Sequence, residues 1–251
     1  MLASRIRSLG TWHWLGFFGL LLSCWAVLFT MAIPPALRGL EGTYGVSLVE
    51  LLCGGAMGAS GLWPAILMWA LMSAAMMLPT ALPAFATYDD LPDSDMRGFW
   101  RLVGGFLTAW AGFSLAAALL QVGLYRGGMV SGLGVSLSVW LSAGLLVGAG
   151  LYQFSALKAA CLSRCRAPLP FFMQHWSEGP WHNGLRMGLD CVGCCWALML
   201  LGFVGGTMNL GFMGLAMVLM TLEKLPRIGA FLTLPLGVGL VAAGVGIVVF
   251  Q

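Results

Sequence analysis

Residues 184–206 read GLRMGLDCVGCCWALMLLGFVGG. After Arg186 the run carries a single charge, Asp190, and its length matches the roughly 20 apolar residues that cross a lipid core as helix. The segment Asp190-Cys191-Val192-Gly193-Cys194-Cys195 packs three thiols and a carboxylate into six residues. Helix positions three and four apart share a face. Cys191, Cys194 and Cys195 therefore project together, with Met187 one turn before them and Met199 one turn after. A carboxylate at this depth is unfavourable in lipid, so Asp190 is expected to face protein, water or a bound cation.

The rest of the chain has the same character. It is 60% hydrophobic and 8% charged, a balance that belongs to polytopic membrane proteins. The expected fold class is all-α, a membrane helix bundle forming one integral membrane domain over 1–251, with a motif-bearing core at 62–228. A net charge of +3, dispersed along the chain, gives no basic patch for nucleic acid. The partner it implies is the lipid bilayer. There is no P-loop, so nucleotide-driven pumping by this chain alone is excluded. The short loops leave little room for a catalytic domain, so a non-enzymatic role is expected.

Seven spans are expected, at 12–33, 62–85, 99–125, 133–161, 184–206, 209–222 and 227–250, with a short interfacial segment between the first two. The first span exceeds a signal-peptide apolar core and is read as retained. Pro168 and Pro170 bar continuation of the fourth, leaving a loop to about Asn183. With the N-terminus inside, ten of the twelve Lys and Arg residues fall on the inner side, and only Arg38 and Arg126 lie outside. This asymmetry orients the chain N-in and C-out.

That topology gathers the cysteines. Cys161 and Cys165 lie at the inner end of the fourth span, and Cys191 lies about 8 Å along the fifth from Arg186. Five of the seven cysteines thus sit at one membrane level on consecutive antiparallel helices. The cytosol is reducing, so structural disulfides are not expected there. Clustered reduced thiols point to metal or redox chemistry. The lone Cys24 and Cys53 are assigned to packing, the ordinary role of a buried thiol.

Met68, Met72, Met76 and Met77 stripe the second span, and Met213, Met217 and Met220 the sixth, with Met208 further out. Thioethers are soft neutral ligands that suit Cu(I), and they are also flexible gap-fillers in cores. The candidate metal ligands are Cys161, Cys165, Cys191, Cys194, Cys195 and Asp190, then Met72, Met76, Met77, Met199, Met213 and Met217. Pro79 is expected to kink its helix and free the Ala75 carbonyl, the kind of group that lines a cavity in a membrane. Glu223 and Lys224 point apart on a helix, and either is a candidate partner for Asp190 or Arg186. Lys158 lies one turn before Cys161 and would act on its thiol. His175 and His182 are weak further candidates. Trp69-Ala70-Leu71-Met72 repeats as Trp196-Ala197-Leu198-Met199 on helices of opposite direction, a faint sign of an inverted repeat.

The motif residues Trp69, Met72, Ala75-Met76-Met77-Leu78-Pro79, Tyr152, Lys158, Cys161-Leu162, Cys165-Arg166, Pro168, Gly188, Cys191, Gly193-Cys194-Cys195-Trp196, Met199, Met208-Asn209 and Glu223-Lys224 resemble a family of bacterial integral membrane proteins. That family is described as metal-binding by prediction, without an established reaction. The resemblance implies a metal-linked role in a bacterial inner membrane.

Three functions fit these residues. The first is Cu(I) handling, as transport or as delivery to a cuproenzyme, with zinc as the other ion that thiolates suit. The second is an accessory or structural subunit of a larger membrane complex, since 36 glycines permit close helix packing. The third is a thiol–disulfide oxidoreductase using the Cys-x-x-Cys of Cys191 and Cys194; it leaves Cys195 and the methionine stripes unexplained.

Overall fold

Apolar chain in lipid has to satisfy its peptide groups internally, and a helix does so within one segment. The computed structural model describes residues 12–32, 61–132, 134–207 and 209–250. Among these there is no strand, only an isolated bridge between Val130 and Ser136. The helices are α1 (Trp12–Ala32), α2 (Leu62–Asp89), α3 (Met96–Arg126), α4 (Val139–Tyr152), α5 (Ala156–Arg166), α6 (Pro168–His175), α7 (Pro180–Leu200), the single turn α8 (Gly202–Gly205), α9 (Leu210–Lys224) and α10 (Pro226–Val249). The interfacial segment expected at 44–59, together with Cys53 and Met208, lies outside the described residues.

Local chemistry sets the ends. Asp95 accepts from Gly98 N at 2.8 Å and starts α3, and Asn209 accepts from Phe212 N at 3.1 Å and starts α9. Each side-chain oxygen satisfies an amide that has no partner inside its helix. Proline occupies the first turn of α6, α7 and α10, where its missing N–H costs nothing.

Two expectations are corrected here. The stretch 133–161 is not one helix: Ser155 caps α5 by accepting from Lys158 N at 3.1 Å, and α4 and α5 meet at 63°. The loop after Pro168 is largely helical, forming α6, a 3-10 turn Trp176–Glu178 and the start of α7. Among the described residues, five segments are long and apolar enough to span a bilayer, namely Trp12–Met31, Leu62–Asp89, Met96–Arg126, Pro180–Gly205 and Ile228–Val249, and six if the bent α4–α5 pair is one span. At 15 residues, α9 is shorter than the roughly 20 that span a bilayer upright.

Pro79 leaves α2 continuous, and the Ala75 carbonyl it releases is not free. Trp25 Nε1 of α1 donates to it at 3.1 Å, so this carbonyl docks α1 on α2. The repeated Trp-Ala-Leu-Met segments sit in unlike surroundings: Trp69 donates to Gln121 Oε1 at 2.7 Å, whereas Trp196 packs edge-on against Tyr152.

The centre of the bundle is α7 packed along α3, with α2 on α3 and with α5 and α9 closing around them; α10 pairs with α4 to one side. The α3–α7 approach depends on glycine. A Cβ on Gly188 would lie 2.7 Å from Ala109 Cβ and 2.8 Å from the Phe106 carbonyl oxygen, whereas one on Gly144 meets nothing within 4 Å. Gly188→Ala is therefore expected to destabilise by about 1–3 kcal/mol, the range for overpacking. Gly144→Ala, which removes a flexible residue from a helix, is expected to be neutral or stabilising. Thermal denaturation in detergent, with Gly188→Ala melting no lower than Gly144→Ala, would refute this account of the interface.

Candidate metal centre

The thiols come together as the helical spacing requires. Cys194 Sγ lies 3.3 Å from Cys195 Sγ and 4.0 Å from Cys165 Sγ of α5. It also donates to the Cys191 carbonyl oxygen at 3.2 Å, and the Cys191 side chain engages both Cys194 and Cys195. Four sulfurs from two antiparallel helices thus converge, with Cys194 in the middle. Cys191, Cys194 and Cys195 are 1–2% exposed, and Cys165 is half-buried. None of the described cysteines is in a disulfide. Cys161 Sγ occupies the space beside Gly193, where a Cβ would lie only 2.6 Å from it.

The charged groups pair differently from what the sequence suggests. Lys224 Nζ donates to Cys191 Sγ at 3.0 Å and to Thr80 Oγ1 at 2.6 Å. Its neighbour Glu223 does point the other way, to Lys158 at 2.8 Å. Both members of that pair are buried, with side chains 1% and 2% exposed. Lys158 is thus engaged by a carboxylate and is not the partner of Cys161. Arg166 donates twice to the Glu223 carbonyl oxygen, at 2.9 and 2.7 Å. Asp190 pairs with Arg164 at 3.0 Å, and Arg186 pairs with Glu178 at 2.9 Å. Neither therefore meets Glu223 or Lys224.

Met72, Met76, Met77, Met199 and Met213 are buried and Met217 is partly so. All belong to, or pack against, the same contiguous core as the four sulfurs. A cavity of about 180 Å³ opens beside them, lined by Thr80, Cys165, Met187, Asp190, Cys191 and Lys224 among others. His175 is held by the Phe171 carbonyl oxygen at 3.0 Å and His182 is exposed, so neither joins the sulfurs. Among the described residues, no three His, Cys, Asp or Glu side chains form a group arranged to hold a metal ion.

Residues 66–247 match a protein family, PpoB2, described as copper chaperone. The chain belongs to this copper chaperone family. No curated protein and no solved structure matches it. The family is more specific than the metal-binding one that the motifs resemble, and it supports copper over an unspecified metal.

The side chains gathered here include donors of the kind that suits copper. Thiolate and thioether are the soft ligands that favour Cu(I). A metal–thiolate bond of about 2.3 Å places two sulfurs on one ion at most about 4.6 Å apart. The Cys165–Cys194 separation of 4.0 Å falls inside that limit. Two site residues escaped the sequence analysis in their actual roles. Thr80 sits on the helix of the methionine stripe with no pattern to mark it. Lys224 stood out as a charge at the end of an apolar run, without its partner being legible.

Proposed function

We propose that this chain is a multi-pass membrane protein that holds Cu(I) among Cys165, Cys191, Cys194 and Cys195 and hands it to a cuproenzyme. It lies N-in and C-out across a bacterial inner membrane in seven passes, with α9 as the short sixth, so the sulfur cluster is near the cytosolic face. The observation that carries this reading is the position of Cys194 Sγ, within 4.0 Å of Cys165 and 3.3 Å of Cys195. Two thiolates on one Cu(I) leave a net negative charge, and the ammonium of Lys224 at 3.0 Å from Cys191 Sγ offsets it. Asp190, engaged by Arg164, serves the rim of the site ahead of the metal. Cys161, the buried Met72, Met76, Met77, Met199 and Met213, and the partly buried Met217 supply further soft donors along the way to the cuproenzyme.

Protein purified anaerobically in mild detergent is expected to carry copper near one ion per chain, with its cluster thiols shielded from alkylation until a Cu(I) chelator is added. Elemental analysis with a free-thiol count checks this. Zinc in place of copper would overturn the choice of ion. Metal-free protein whose thiols cycle between oxidised and reduced forms would replace this reading with the thiol–disulfide one.

A further inference from the structure

Lys224 stands beside the sulfurs without a counter-carboxylate. Glu223 is engaged by Lys158 and Asp190 by Arg164, so each of those pairs is neutral as a unit. Among the described residues, Lys224 forms no ion pair with a carboxylate. Its Nζ donates instead to Cys191 Sγ at 3.0 Å and to Thr80 Oγ1 at 2.6 Å. Lys224, Thr80 and Cys191 are all buried. Arg166 adds charge of the same sign nearby, but it is half-buried and directs its donors to the Glu223 carbonyl oxygen.

Thr80 fixes where the Lys224 charge sits. Its hydroxyl donates to the Met77 carbonyl oxygen at 2.9 Å, so toward Lys224 it can only accept. The ammonium is thereby held against Cys191 Sγ. A metal–thiolate bond of about 2.3 Å, added to the 3.0 Å contact, places any ion on Cys191 within about 5 Å of that ammonium.

Two consequences favour a singly charged ion. A monovalent ion held by two thiolates carries one net negative charge, which the ammonium cancels. A divalent ion on the same two thiolates is already neutral, so the ammonium becomes a buried charge with no counter-charge, an unfavourable state in a low-dielectric interior. A divalent ion of the zinc type would also draw four ligands around itself. Using all four sulfurs brings it onto Cys191, next to the ammonium, whereas a monovalent ion is satisfied by Cys165 and Cys194 alone.

We propose that Lys224 makes this site selective for monovalent over divalent soft ions, with Thr80 as the residue that positions it. This rests on the copper-holding reading and adds what turns zinc away. One unit charge about 5 Å from the ion, at an effective dielectric of about 20, changes binding on the order of a hundredfold.

The test uses the full chain in detergent, kept anaerobic, with Ag(I) and Cd(II) as probes, both soft and neither oxidised nor reduced under these conditions. Each ion is competed against a chelator of known affinity, bound metal is counted after desalting, and the ratio of the Ag(I) to the Cd(II) affinity is the readout. Lys224→Met is expected to lower that ratio by about tenfold or more, the smaller end of the electrostatic scale. Lys224→Gln, which removes the charge but keeps N–H donors for Thr80, is expected to do the same. Thr80→Val leaves every charge in place and is expected to shift the ratio in the same direction by a smaller factor; the wild-type ratio in this variant would overturn the positioning role. A ratio unchanged in the lysine variants, whatever their absolute affinities, would overturn the proposal while copper holding stands. Wild-type protein that binds neither Ag(I) nor Cu(I) would instead sink the copper-holding reading itself.

Discussion

Cys194→Ser is expected to lower the copper retained by the purified protein by about tenfold or more, at least 1.4 kcal/mol of binding. Cys194 Sγ is the sulfur that joins the two helices, 4.0 Å from Cys165 on α5 and 3.3 Å from Cys195 on α7. Without it the α5 thiol loses its partner on α7, and a hydroxyl is a poor ligand for a soft ion. The fold is expected to survive. Serine is close to cysteine in size, and its hydroxyl can take over the 3.2 Å bond to the Cys191 carbonyl oxygen, the back-bonding that serine makes inside helices. Elemental analysis of Cys194→Ser beside Cys24→Ser, with matched elution profiles, separates ligand loss from misfolding. Cys24 lies on α1, is not among the proposed ligands, and its variant should keep its copper. Wild-type copper in a well-folded Cys194→Ser protein would refute the central role of this sulfur.

Spacings of three and four made it legible that Cys191, Cys194 and Cys195 share a face of one helix; the approach of Cys165 to Cys194 at 4.0 Å comes from the separate short helix α5, which hydropathy merges into the stretch before it. Charge pairing follows no such rule. Lys158 and Glu223 are 65 positions apart, and only the packing of α9 against α5 brings them together. The same holds for Trp25 and the Ala75 carbonyl: the proline predicts a released acceptor, and tertiary structure decides what takes it. The break at Ser155 was hidden for a different reason. Hydropathy measures how well a stretch suits lipid, and a serine cap that competes with helix continuation barely alters that measure. The helical course of 168–178 was obscured because proline reads as a barrier, although at a first turn it starts helices as well as ending them.

Glu223→Gln is expected to destabilise the protein by about 3–5 kcal/mol, the range for removing one partner of a buried ion pair. Against typical total stabilities of about 5–15 kcal/mol, that is a large fraction. The cost arises from what stays behind: Lys158, 1% exposed and 2.8 Å from the lost carboxylate, keeps a charge with no counter-charge and little access to water. The double variant Lys158→Met with Glu223→Leu removes both charges and keeps apolar bulk, so it is expected to recover most of the loss, as such replacements often do. The effect reaches the sulfurs as well. Glu223 anchors the last turn of α9, through Lys158 and through Arg166 on its carbonyl, and that turn carries Lys224 to Cys191. Glu223→Gln is therefore also expected to weaken copper retention, whereas the double variant, which leaves no unpaired charge at this end of α9 and keeps the same backbone contacts to Arg166, is expected to hold it better. Thermal denaturation and copper content measured on the same three proteins decide the matter. A single variant as stable as wild type, or a double variant no more stable than the single, would mean that the Lys158–Glu223 pair does not fasten this end of α9.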